Sequence, residues 1–392
     1  MYDVALNKVE ERIKMIRKLV KSRSFDKESL AEVEINKFFY NGEAINRVMV
    51  VLRANGCEHY KESGGCSMCA HFNGTPDSHV TDEEYKKQWD SLINGTFIED
   101  TESKVKFNLD DYPVVCVYNL GSMLNEKEIS LDAVRYIFSS LNNYKKVKKV
   151  IIESRAEFVN EQVLEKIKEV YDGIVEIGIG VESTVKTIRQ LCHHKRLEDE
   201  STISNAVNLI HKYGFKALAY INLKPVFLTE QEAIDDGVSS AIDCFNMNFD
   251  AVSIEPTSLQ EYSLANFLHN IGEYRVSWLW SVREVVRGIY KLINCSEKKD
   301  IRLGGYFDEN VLSGSQGASY SERNEIFPHM TSSNCSKCTD EFVQRIKSFN
   351  MTYDIKVLDE MEECPECYSL WEGNIRVKDS RSIEQRIIDT LN

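Results

Sequence analysis

Three cysteines, Cys57, Cys66 and Cys69, follow directly on the apolar run Arg47–Arg53. They stand in the segment Arg53-Ala-Asn-Gly-Cys57-Glu-His-Tyr-Lys-Glu-Ser-Gly-Gly-Cys66-Ser-Met-Cys69. Three thiolates can hold three irons of a cubane [4Fe–4S] cluster and leave the fourth iron open, as three protein ligands leave a catalytic zinc open. Gly56, Gly64 and Gly65 let the backbone wrap closely around such a core. The competing chemistry is a structural zinc, with His59 or His71 as fourth ligand.

Four more cysteines form two C-x-x-C pairs near the end of the chain, Cys335/Cys338 and Cys364/Cys367. Paired thiolate turns supply a tetrahedral donor set for zinc or for an auxiliary iron–sulfur cluster, since thiolates suit both. Cys clustering without a secretory leader points to a reducing compartment and to metal, not to disulfides. Cys116, Cys192, Cys244 and Cys295 sit singly in apolar surroundings and are expected to be inert buried thiols.

The chain has 392 residues, of which 42% are hydrophobic, enough for one large domain and a smaller appendage. No run of 18 apolar residues is present and no signal-peptide pattern opens the chain, so a cytoplasmic protein without a membrane span is expected. The net charge of −14 is not that of a dedicated nucleic-acid binder.

Short β-branched runs at 47–53, 113–119, 149–153, 175–181, 217–223 and 251–255 alternate with helical periodicity at about 81–95, 129–143, 159–171, 184–212, 229–246 and 278–293. Alternation of this kind predicts parallel βαβ units and an α/β fold: a partial (β/α)6 TIM-like barrel over residues 46–300. Residues 1–45 read as an N-terminal helical extension. Residues 301–392 read as a C-terminal cysteine-rich metal-binding module, entered through Gly304–Gly305 and a mobile Ser/Gly-rich loop at 312–321.

In such barrels reactive groups gather at the C-terminal ends of strands. Those ends carry Gly121 and Ser122; Glu153 and Arg155; Glu182 and Ser183; Lys224; and Glu255, with Lys195 after a short helix. Each has a plain structural reading as a turn, a cap or a solvated strand end.

The three-cysteine segment at the end of a first barrel strand resembles the radical S-adenosylmethionine (SAM) superfamily, in the branch of the Elongator catalytic subunit and the tRNA methylthiotransferases. The resemblance implies a [4Fe–4S] cluster on Cys57, Cys66 and Cys69 whose open iron binds SAM. It further implies SAM contacts from Gly121, Ser122, Glu153, Arg155, Glu182, Ser183 and Lys195, with Glu153, Arg155, Lys224 and Glu255 near the reacting groups. A reductant such as flavodoxin or ferredoxin is implied as well.

Glu153-Ser-Arg155, Leu223-Lys-Pro225, Phe227-Leu-Thr-Glu230, Glu273-Tyr-Arg-Val-Ser-Trp-Leu-Trp280 and the two late Cys pairs are similar to the archaeosine synthase radical SAM subunit. That family implies C–N bond cleavage of a lysine attached to a 7-deazaguanine base in tRNA, and a lysine-transferring partner subunit. His329-Met-Thr-Ser-Ser-Asn334 departs from the basic, glycine-containing approach expected there. The alternatives are a radical SAM enzyme acting on a peptide or small amino-acid-like substrate, and a zinc-stabilised binding module with no catalysis.

Overall fold

The computed structural model describes every residue except 22–23, 98–106, 198, 200, 294–299, 307–309 and 315–330. Nine strands form one sheet: β1 Glu32–Tyr40, β2 Glu43–Val51, β3 Val114–Tyr118, β4 Lys149–Ser154, β5 Ile174–Gly180, β6 Lys216–Leu223, β7 Ala251–Pro256, β8 Asp300–Leu303 and β9 Asn310–Gly314. Their order is β8-β7-β6-β5-β4-β3-β2-β1-β9. From β2 to β8 every neighbour is parallel, whereas β1 runs antiparallel to both β2 and β9. The fold is the expected partial α/β barrel, carrying a four-cysteine group in its C-terminal part.

Two parts of the sheet depart from the sequence reading. Residues 1–45 are helical only over Tyr2–Arg17; Glu32–Tyr40 is strand β1, closed onto β2 by the Asn41–Gly42 turn, both residues at positive φ. Its pattern hid because Glu34 and Asn36 are buried, so polarity does not mark the solvent side. A seventh parallel strand, β8, is only four residues long, too short to display a period. Residues 310–314, part of them assigned to a mobile loop, pair with β1, and the remainder of that loop lies outside the described residues, as does Cys295.

Alternate strand residues face the concave side. In its lower half they form a charged layer. Lys149 donates to Glu176 at 2.6 Å, and Arg302 donates to both Glu176 oxygens at 2.6 and 3.1 Å. Burial alone would raise the Glu176 carboxyl; Arg302 and Lys149 overcome it and hold it at about 2. Arg47, bonded to Asn36 at 2.6 Å, and Arg302 lie over the Phe38 ring at 4.8 and 5.1 Å. The floor is therefore closed, and the C-terminal strand ends hold the accessible chemistry.

The convex side packs on the helices, whose cores continue into the C-terminal module through Phe342, Phe349 and Trp371. A second apolar cluster joins the first helix (Val9, Ile13), the last helix Ile383–Leu391 and the segment after β7 (Leu259, Leu264). Through it the first helix, whose Ile13 lies against Gly64 of the cysteine loop, is tied to the last helix.

Candidate active site

The cysteine loop leaves β2 and makes one short helix, Glu58–Ser63, with Cys57 at its N-cap and Gly64 as its left-handed C-cap. Gly64 and Gly65 both have φ near +80°, which lets the loop reverse at once into Cys66. Arg17, at the end of the first helix, donates to the carbonyls of Gly64 (3.0 Å), Cys66 (3.0 Å) and Cys69 (2.8 Å), and also to that of Tyr262. Its guanidinium stacks over Phe72, which in turn lies parallel to Tyr60 at 4.2 Å.

A second clamp comes from the segment after β5. Ser67 binds Cys192 O through its hydroxyl (2.6 Å) and His193 O through its amide (2.9 Å). His194 Nδ1 meets Gly65 O at 2.9 Å, and His59 Nε2 meets His194 O at 2.7 Å. This segment is a π-turn, Ile188–Cys192, followed by coil; the continuous helical pattern at 184–212 is broken there and resumes only over Ser201–Lys212.

His59 is engaged by Ser63 and His194, so it is no metal ligand. Among the described residues, the only set of three or more Cys, His or carboxylate donors lying mutually within 4.8 Å is that of the late cysteines. One zinc ion holds its thiolates about 3.8 Å apart, the edge of a tetrahedron with 2.3 Å bonds. With both ring nitrogens of His59 engaged, the loop offers three thiolates without His59 as a fourth donor, the set that leaves one position of a cluster open.

Facing the loop are the ends of β3 to β7. Glu182 is paired with Lys195 at 2.7 Å, both buried. A Cβ at Gly180 would overlap Lys195 Nζ, and one at Gly178 would overlap the Tyr220 ring, so two glycines in β5 make the room. Lys195 and Arg155 both act on Cys66, and Arg155 also on Cys57, as near positive charges. Arg155 is held by Glu157 and by Arg196 O at 2.8 Å. Burial pushes the Glu153 carboxyl up to about 7, with His71 and Lys195 opposing and Glu182 adding. Glu255 rises to about 7 for the same first reason; Ser253 donates to it at 2.6 Å, and Gly304 leaves space for its other oxygen. Non-glycine residues at positive φ collect on this rim: Leu120, Glu182, His194 and Lys224.

No family model matches the chain. An uncharacterized protein of Methanocaldococcus jannaschii is 31% identical over 368 residues, covering 94% of this chain and 92% of that one. Archaeosine synthase subunit beta of Thermococcus kodakarensis is 27% identical over 333 residues, 84% of this chain and 92% of its own. The Methanosarcina acetivorans protein of that name is 25% identical over 342 residues, 86% of this chain and 88% of its own. The chain belongs to the radical SAM superfamily. It is an enzyme of that class.

The radical SAM residues expected from sequence mostly converge, with exceptions. Gly121 packs so closely on Cys57 that a Cβ would lie 3.5 Å from Cys57 Cα and would overlap the Glu128 carboxylate. Ser122 is a structural joint: its amide donates to Glu128 at 2.6 Å and its hydroxyl accepts from the Arg155 amide at 3.2 Å. The Ser183 hydroxyl donates to Asp236 on the helix Glu230–Asn246 at 2.6 Å, a packing contact. Lys224 and Glu255 do not pair with each other. The left-handed backbone at Lys224 carries its ammonium to the Tyr274 ring, 5.0 Å away, instead of onto the carboxylates.

Three participants were not legible as such. Arg17 reads as one more surface cation of an amphipathic helix, yet it is 8% exposed. Glu128, 1% exposed, ties the Glu58 amide (3.0 Å) and Ser122 together and carries no motif. Asn119 is buried with neither side-chain atom hydrogen-bonded among the described residues, an unmet donor and acceptor at the end of β3.

The late cysteines lie close together: Cys335–Cys338 3.6 Å, Cys335–Cys364 3.5 Å and Cys338–Cys367 3.5 Å between sulfurs. Those edges fit the tetrahedron about one metal ion. Trp280 Nε1 donates to Cys367 Sγ at 3.3 Å, which orients and stabilises a thiolate there.

Proposed function

We infer that this radical SAM enzyme cleaves a C–N bond of a lysine carried by a 7-deazaguanine base in tRNA, in the manner of archaeosine synthase. The observation that carries this reading is the match to two archaeosine synthase beta subunits over 84% and 86% of the chain.

When bound, the cluster and SAM supply a 5′-deoxyadenosyl radical that removes a hydrogen atom from substrate. Cys57, Cys66 and Cys69 would hold the cluster. Arg155 and Lys195 place positive charge beside Cys66, suited to the carboxylate of a methionyl group. Glu182, already aligned by Lys195, offers its second oxygen to hydroxyl or ammonium donors. Glu153 and Glu255, buried and with no salt bridge to either carboxylate among the described residues, suit an amine-bearing substrate.

The relatives are named as beta subunits, so a second, lysine-transferring subunit is part of the reading, together with a small reductant such as flavodoxin or ferredoxin. The four late cysteines would hold a single ion, zinc, rather than an auxiliary cluster. A cytoplasmic location completes it. No described helix is long and apolar enough to cross a membrane.

The net charge of −14 favours a second reading, in which the same chemistry acts on a peptide or amino-acid-like amine. Supplying tRNA that bears the lysine adduct to reduced, reconstituted protein with SAM separates them. Mass spectrometry should show the amidine base and equimolar 5′-deoxyadenosine. SAM cleavage with an unchanged base would reject the tRNA reading and leave the second.

A further inference from the structure

We propose that Lys224, with neighbouring Arg275, binds an anionic oxygen group of the substrate, a carboxylate or a phosphate; the substrate's identity rests on the function proposed above, the site does not. Eleven Lys and Arg residues are buried among the described residues. Ten donate to an acceptor, as Lys195 does to Glu182 and Arg386 to Glu232. Lys224 is the exception: it is 7% exposed, and its ammonium has no acceptor among the described residues, only the face of Tyr274 at 5.0 Å.

The two nearest carboxylates are engaged elsewhere. Glu230 Oε1 accepts from the Trp278 amide (2.9 Å) and from Ser281 Oγ (2.5 Å). Both oxygens of Glu232 accept from Arg386, at 2.6 and 2.8 Å. Arg275 lies flat on Trp278 at 3.6 Å and donates only to the carbonyls of Val276 and Ser333. Two cations on aromatic faces thus share one wall, neither with a salt bridge among the described residues. Burial lowers the proton affinity of Lys224; Glu230 counters this and Arg275 adds to it.

The chain maintains this arrangement at a cost. Lys224 sits at φ +62°, and Tyr274 fixes it by donating to its carbonyl at 2.5 Å. A buried ammonium with no hydrogen-bonded acceptor is destabilising, and a cation–aromatic contact with the field of Glu230 replaces only part of its hydration. An anion from outside the chain supplies the missing partner. Its place beyond the end of β6 puts that anion at the rim of the radical site, where it fixes the orientation of a substrate whose reacting carbon lies deeper. A lysine adduct in RNA offers both candidate groups, the amino-acid carboxylate and the ribose-phosphate backbone.

Thermal melting of the anaerobic holoenzyme tests the site without any turnover. Inorganic phosphate or acetate, against chloride at equal ionic strength, should raise the wild-type melting temperature by about 2 °C. Lys224→Met should show no such response and should itself melt no lower than wild type, because a desolvated charge has gone. The anion with the larger effect names the source, acetate standing for the carboxylate and phosphate for the backbone. A wild type indifferent to both anions, equal responses in the two proteins, or a clearly lower melting point for Lys224→Met would each overturn the proposal.

With the lysine-bearing tRNA, Lys224→Met should raise KM about tenfold, more than it lowers kcat, and Lys224→Arg should recover part of the loss. If wild-type enzyme leaves that tRNA unchanged, the substrate reading fails while the melting result still decides the anion site.

Discussion

At the scale of single residues, what holds the cysteine loop is as informative as the cysteines. Arg17 reaches from the first helix to the carbonyls of Gly64, Cys66 and Cys69, so one side chain fixes the loop that must present three thiolates. Arg17→Met keeps the stem and removes these bonds. It should cost about 2–4 kcal/mol of stability and lower the iron retained per chain, read by melting and by metal analysis. Glu255 gives a pH signature. Its folded-state pKa of about 7 lies above the unfolded value of about 4.3, so its contribution to stability is complete below pH 4.3 and is lost as pH rises through 7. Glu255→Gln should therefore match wild type near pH 5 and exceed it by about 1–3 kcal/mol at pH 8, measured by denaturant melts. That Cys57, Cys66, Cys69, Glu153 and Glu182 lie at or after strand ends was legible in the sequence, because strand ends follow from periodicity. Arg17 and Glu128 were not, because a buried charge and a solvated one look alike until the packing is known.

At the scale of elements, the parallel strands β2 to β7 were legible from their apolar runs, and the helices between them from their 3.6-residue period. What escaped were β1, whose polar residues face the charged floor, and β8, too brief to show a pattern. The bond of Ser183 was not legible for a related reason: a residue straight after a strand can turn either inward or onto the next helix, and its hydroxyl donates to Asp236 on the helix. The C-terminal module depends on its metal in the same local way. Two of its helices, Thr339–Asn350 and Tyr368–Ile375, start at Cys338 and Cys367, and the four sulfurs meet within 4.8 Å. Metal analysis should find one zinc per chain in addition to cluster iron. Cys335→Ser should abolish that zinc and unfold the module, seen as fast amide exchange over 331–375, while cluster iron remains. Iron replacing zinc at this site in the native protein, with the absorption of a cluster, would contradict the spacing argument.

At the scale of the whole molecule, the first helix, the last helix and the segment after β7 make one apolar cluster, whose Ile13 lies against Gly64 of the cysteine loop. The two chain ends are thus part of the site's support, which the sequence, read as a barrel with extensions, did not show. A charged floor beneath and this cluster beside the loop leave the C-terminal strand ends as the place for chemistry. The acidic surface implies that any RNA contact is made locally or by a partner.

The account depends on Cys57, Cys66 and Cys69 holding a cluster with one iron open to SAM. Anaerobic reconstitution, followed by reduction with SAM present, measures this directly as iron content and 5′-deoxyadenosine. About four irons per chain and steady 5′-deoxyadenosine formation are expected, both lost when the three cysteines are replaced by serine while the late zinc stays. Zinc alone at the trio, or 5′-deoxyadenosine formation that survives the triple replacement, would contradict it.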